Sequence, residues 1–301
     1  MTLGVKAYDR LLLGTAQWGS CYGVSNTQGM TSDGEIKNIL DKAYASGISL
    51  LDTAPDYGNS ESKIGNNDIN NFNIITKIPK LSKYPESIDK VNALKSSVQN
   101  SISNLNRVRL HGLLFHDVSD LIADTQGLLL SEVNKLKTNR SVSKIGVSVY
   151  SGEQIDSVLD IFLPDIVQVP FNILDQRLLH SGHLKKLKTL GVEIHVRSVF
   201  LQGLFHIPIE RLPNFFKPIE HFLAEINLAA KKQRMSINQA SLTFVRDQPF
   251  VDKILVGIES LFQLNEAISD FVLEPGFKFE SLDCDQEEYL DPRRWNFKSE
   301  S

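Results

Sequence analysis

Short apolar runs alternate with longer amphipathic stretches along most of the chain. Leu11-Leu12-Leu13, closed by Gly14, predicts a first buried strand, and the run 48–52 predicts a second. Further strands are predicted at 73–77, 111–115, 144–148, 165–169, 192–196 and 253–256. Between them, apolar residues step by three and four. Ser32-Asp33-Gly34-Glu35 reads as a capping box ahead of Ile36, Ile39, Leu40 and Ala43, with Gly47 as the stop. Ile88, Val91, Leu94, Val98, Ile102 and Leu105 predict a long helix. Similar spacing marks helices around Leu129, Ile155, Leu184, Phe222, residues 237–245 and Leu261. Residues 200–218, bearing several prolines, predict a long irregular loop. Strand and helix alternate eight times with no run of consecutive strands, which argues for a parallel sheet covered by helices. A doubly wound sheet is the other arrangement of such units, but the GxGxxG fingerprint after the first strand is absent.

Composition narrows this further. With 301 residues, 42% hydrophobic and 23% charged, the chain suits one α/β domain over 1–301, its segment 271–301 an irregular tail folded back across one face. A formal net charge of −4 gives no electrostatic case for nucleic acid or a membrane as partner. Cys21 and Cys284 have no metal-ligand spacing, and no signal peptide or long uncharged apolar run stands out, so the expected setting is the cytoplasm. No heptad seam indicates an oligomeric state.

The chemistry gathers at strand ends. Asp52 ends the second strand, Tyr57 lies in the Pro/Gly-bearing loop after it, Lys77 ends the third, and His116 follows the fourth. If the units close into a barrel, such residues meet at one rim. Reducing a carbonyl needs a hydride on carbon and a proton on oxygen. Tyr57 would be the general acid, or the base for oxidation, with Lys77 favouring its ionised form and Asp52 keeping Lys77 charged and aimed. His116 would donate a hydrogen bond to the substrate oxygen. Each residue alone has an ordinary structural explanation; their order and placement together favour catalysis. His111 reads as structural, and the other histidines form no metal-binding pair, so no metal is expected.

This ordered set, with Leu51-Asp52-Thr53-Ala54-Pro55-Asp56-Tyr57-Gly58 at its centre, resembles the aldo-keto reductase family over roughly residues 11–268. The resemblance implies a (β/α)8 TIM barrel, a nicotinamide dinucleotide extended across the rim and a small carbonyl or alcohol substrate. Ser148 and Gln168 fall where the family holds the nicotinamide amide, although Val149 replaces the usual asparagine. Arg197 stands where many members stack a tyrosine on the nicotinamide ring, and Ser198, Phe200 and Gln202 follow in the same cofactor stretch. Gly257, Glu259, Ser260 and Gln263 resemble the segment that holds the adenosine ribose and its 2′-phosphate. Ser260 and Gln263 also read as a capping box. Many members carry a basic residue there; Glu259 and Ser260 instead favour NAD(H) over NADP(H).

Substrate choice would fall to Trp18, Tyr22, Asp117, the 200–218 loop and Arg293-Arg294-Trp295. The motifs at 14–19 and 291–295 look like bacterial members that accompany cell-surface sugar biosynthesis, which suggests a sugar or nucleotide sugar. Two other uses of the same residues stand beside this reading: a non-catalytic, nicotinamide-sensing subunit, and an epimerase or dehydrogenase that retains its NAD.

Overall fold

Parallel pairing in chain order, closed by the first strand on the last, builds the central barrel. The computed structural model describes residues 8–24, 26, 29–279, 282 and 284–295. Its strands are β1 (Leu11–Gly14), β2 (Leu50–Asp52), β3 (Asn73–Ile78), β4 (Leu110–Phe115), β5 (Val142–Ser148), β6 (Ile166–Pro170), β7 (Glu193–Arg197) and β8 (Lys253–Gly257). Helices follow the strands and cover the outside, giving the expected (β/α)8 barrel. Leu12, Leu50, Ile75, Leu114 and Ile166 fill its interior, with Leu255 packed against them. Outward-facing strand residues such as Leu13, Leu51 and Ile74 join the helix faces in the main core.

Local departures from the expected elements have local causes. Ile48 does not open β2: its N–H bonds to Ala43 O at 2.9 Å, behind Gly47 in the left-handed region (φ 82°), and so closes the preceding helix, Asp33–Ala45. A four-residue helix, Ala16–Gly19, follows β1, too short to leave a periodic signature. The 200–218 loop is a series of 3-10 turns, Leu201–His206, Ile209–Arg211 and Asn214–Ile219.

Among the described residues of the C-terminal segment, Pro292 and Arg293 line a cavity at the rim. Residues 280, 281, 283 and 296–301 lie outside the described residues, as do 1–7 at the other end. Helix Glu287–Leu290 and turn Pro292–Arg294 seat Tyr289 against Phe215 and Trp295 against Phe216. Among the described residues no helix is long and apolar enough to cross a membrane, and both cysteines are free.

The opposite, N-terminal mouth of the barrel is plugged by charge. Glu193 accepts from the fully buried His195 (Nε2 to Oε1, 2.7 Å) and pairs with Lys144, while Lys188 pairs with Asp252. Burial opposes the Glu193 charge, but His195 and Lys144 bring its pKa down to about 2. His111 stands beside Lys144 in this plug, its pKa lowered by burial and by that lysine.

Candidate active site

At the C-terminal rim a buried ion pair sets the stage. Asp52 and Lys77 are each 1% exposed, an expensive placement unless both are paired and hydrogen-bonded. Lys77 Nζ donates to Asp52 Oδ1 at 2.5 Å and to Thr53 O at 2.9 Å, and it lies 3.4 Å from the Tyr57 hydroxyl. The other Asp52 oxygen accepts from Gln168 Nε2 at 2.9 Å. Every strong donor and acceptor of the pair is therefore engaged, and the lysine is aimed at the phenol.

The loop carrying Tyr57 is seated on bare backbone. A Cβ on Gly19 would lie 1.9 Å from Tyr57 O, and one on Gly58 would lie 2.1 Å from Gly19 O. Gly58 also holds φ 60°, so glycine is required there twice over. His116 meets the Tyr57 ring edge-on at 5.9 Å, and its Nδ1 is 3.2 Å from Asp56 Oδ2. That contact lowers the Asp56 pKa. The Tyr57 hydroxyl is shifted upward: burial is the main cause and the Asp52 carboxylate adds to it, with Arg197 opposing. The phenol is thus shifted away from ionisation, against the expectation that Lys77 would draw it there. A phenol shifted this way keeps its proton at neutral pH.

Asp52, Tyr57 and His116 open onto a cavity of about 650 Å³, within the range of cofactor sites. Its lining includes all ten residues that the family resemblance assigns to the cofactor: Ser148, Gln168, Arg197, Ser198, Phe200, Gln202, Gly257, Glu259, Ser260 and Gln263. Ser198 (φ 61°), Gln202 (φ 53°) and Gly203 (φ 91°) line it in left-handed backbone. At the far end, helix Leu261–Phe271 starts with Ser260 Oγ accepting from Gln263 N at 3.2 Å. The Gln263 amide turns to Glu259, accepting from its N–H at 3.0 Å and donating to its carboxylate at 2.8 Å. Leu261 N, in the first turn, donates to Glu35 Oε1 at 2.5 Å.

The family model for the aldo/keto reductase family matches residues 10–275. The chain belongs to that family. Its reductase fold is also seen in two solved structures assigned to aldo-keto reductases of Pseudomonas aeruginosa. One is 21% identical, with a TM-score of 0.64, covering 87% of this chain and 89% of its own. The other is 20% identical, with a TM-score of 0.63, covering 87% and 88%. No curated protein matches the chain. Family membership makes the protein an oxidoreductase of the kind that reduces carbonyls with NAD(P)H.

In this reductase three expected substrate contacts are elsewhere. Trp18 is fully buried and donates through Nε1 to Ile258 O at 2.7 Å, so it braces the rim from below. Asp117 caps the next short helix through Ser119 N (2.9 Å) and pairs with Lys80 at 3.2 Å, outside the cavity lining. Trp295 turns away onto Phe216 and donates to Tyr289 O at 3.1 Å. Tyr22 does line the cavity, its hydroxyl accepting from Gln202 Nε2 at 2.7 Å. Tyr150, Asp56 and Glu35 were not foreseen. Tyr150 sits two residues past the end of β5 and Asp56 beside Tyr57, positions a strand-end reading could have flagged; Glu35 left no signal beyond its capping box.

Proposed function

We propose that this enzyme interconverts a carbonyl and an alcohol on a polar small molecule, with Tyr57 as general acid and base. The observation that carries the reading is the buried Asp52–Lys77 pair delivered 3.4 Å from the Tyr57 hydroxyl at the mouth of the cavity. Bound NADH would supply the hydride. Tyr57 would pass its proton to the carbonyl oxygen, and the Lys77 ammonium, held in place by the Gln168-braced Asp52, would steady the charge left on the phenol. His116 would orient the substrate oxygen, and Ser148, Gln168 and Arg197 would hold the nicotinamide. A mixed lining of Tyr22, Asn26, Gln202 and Asn238 suits a hydroxylated substrate such as a sugar.

What supports NAD(H) over NADP(H) is charge. At the adenosine end the cavity is lined by Glu259, Glu266 and Asp270, and a helix N-terminus that would attract a 2′-phosphate already holds the Glu35 carboxylate. The test of the reaction is Tyr57→Phe. Turnover of small aldehydes with NADH should fall by about 10²-fold or more while NADH binding by fluorescence titration is retained. Full activity in the variant would remove Tyr57 from the proton step.

A further inference from the structure

Two arginines from distant parts of the chain meet on one tyrosine at the substrate side of the cavity. Arg197, ending β7, places its Cζ 4.0 Å from the centre of the Tyr150 ring, and Arg293 of the C-terminal turn places its own at 3.3 Å. Both line the cavity with Tyr150. The cluster belongs to the acid's end: Arg197 and Tyr150 both act electrostatically on Tyr57, and Arg293 feels Asp117, the residue after His116.

Their hydrogen bonds leave charge to spare. Arg197 donates to Val149 O at 3.0 Å and to Ser198 Oγ at 3.3 Å. Arg293 is fixed by Asp291, whose side chain is 6% exposed, through Nε at 3.0 Å and Nη2 at 2.6 Å. Among the described residues no hydrogen bond engages Arg293 Nη1 or Arg197 Nε. Asp291 offsets one of the two cations, and Asp117 is itself paired with Lys80 and capped by Ser119, so the cluster stays net positive. A guanidinium held by a buried carboxylate and stacked on an aromatic ring is positioned in advance, with little entropy left to lose on binding.

We propose that Arg293, backed by Tyr150 and Arg197, forms a subsite for an anionic group on the carbonyl substrate, a carboxylate or a phosphate. It rests on the reductase reading of the same cavity and adds the substrate's charge to it. The enzyme then acts on small acidic aldehydes, ketones or their alcohols, and discriminates against neutral ones of equal length.

The test compares kcat/KM for 4-oxobutanoate against butanal, and for glyceraldehyde 3-phosphate against glyceraldehyde, in the wild type, R293Q, R293K and R294Q. A calorimetric titration of the cofactor-free protein with succinate and with inorganic phosphate runs alongside. The anionic member of at least one pair should be preferred, and R293Q should cut that preference by about tenfold or more, as loss of a hydrogen bond to a charged group does. R293K should keep part of it, and R294Q, whose guanidinium lies outside the cavity lining, paired with Glu287 and 3.9 Å from Asp291, should keep most of it. Succinate or phosphate binding should weaken in parallel in R293Q. Which pair responds separates carboxylate from phosphate. An unchanged ratio in R293Q with both aldehydes of a pair turned over overturns the subsite and leaves the reductase standing. If no aldehyde is turned over with either nicotinamide while anion binding still depends on Arg293, the reductase reading fails and the anion site stands.

Discussion

The buried carboxylate at position 52 serves three neighbours: Lys77, Gln168 and, through the lysine, Tyr57. Removing it leaves an ammonium stranded in the interior, so Asp52→Ala should cost about 3–5 kcal/mol of stability in urea unfolding, and Lys77→Met should cost a similar amount. The double variant Asp52→Leu with Lys77→Met should recover a large part of that loss while remaining without activity. Equal destabilisation by the single and double variants would mean that the pair is not coupled. These residues were legible in the sequence because each sits where an apolar run stops, and a barrel gathers such ends. Trp18 is buried rather than at the rim, and its sequence context does not tell the two apart: an aromatic side chain in a Gly-rich loop has the same local pattern whether it faces a ligand or the core.

Among the elements, helix Asp33–Ala45 meets the start of helix Leu261–Phe271 at the end of the cavity proposed for the adenosine. Ser32 caps its own helix at Glu35 N, 3.3 Å, as the motif predicts, yet the Glu35 carboxylate is spent on Leu261 N, 226 residues away. A capping box is a local pattern and carries no record of such a distant partner. Glu35→Gln and Glu259→Gln should each narrow the preference for NADH over NADPH by a factor of about two to five, the worth of one charge at a helix end. Fluorescence titration at fixed salt measures it; a wild type that binds NADPH as tightly as NADH would remove the assignment. The Tyr150 cluster was hidden likewise, because it joins β5, β7 and the tail, three segments with no shared pattern.

Across the whole molecule the two mouths of the barrel do different work. Alternating strand and helix signals made the eightfold architecture legible, whereas the plug of Lys144, Glu193 and His195 joins β5 to β7, a contact between separate strands that leaves no local pattern. Its ionisation ties global stability to acid. Glu193 titrates at about 2 when folded and above 4 when unfolded, so its contribution is full above that unfolded value and is lost as pH falls towards 2. After allowance for partial exposure this is worth on the order of 2 kcal/mol. Glu193→Gln should be less stable than the wild type at pH 7, and the gap should close between about pH 5 and 2 in chemical unfolding measured across that range. A gap that persists at pH 2 would show that Glu193 acts by packing rather than by charge.

At the other mouth, Gly19 and Gly58 lock two rim loops together without a side chain between them. That lock limits how the enzyme can diversify. Change at either glycine displaces the Tyr57 loop, so these loops drift only as a unit, whereas the C-terminal turn, held by ion pairs and ring contacts, can be rewritten piece by piece. New substrate preferences should therefore arise by descent through the tail, around a reaction that stays the same.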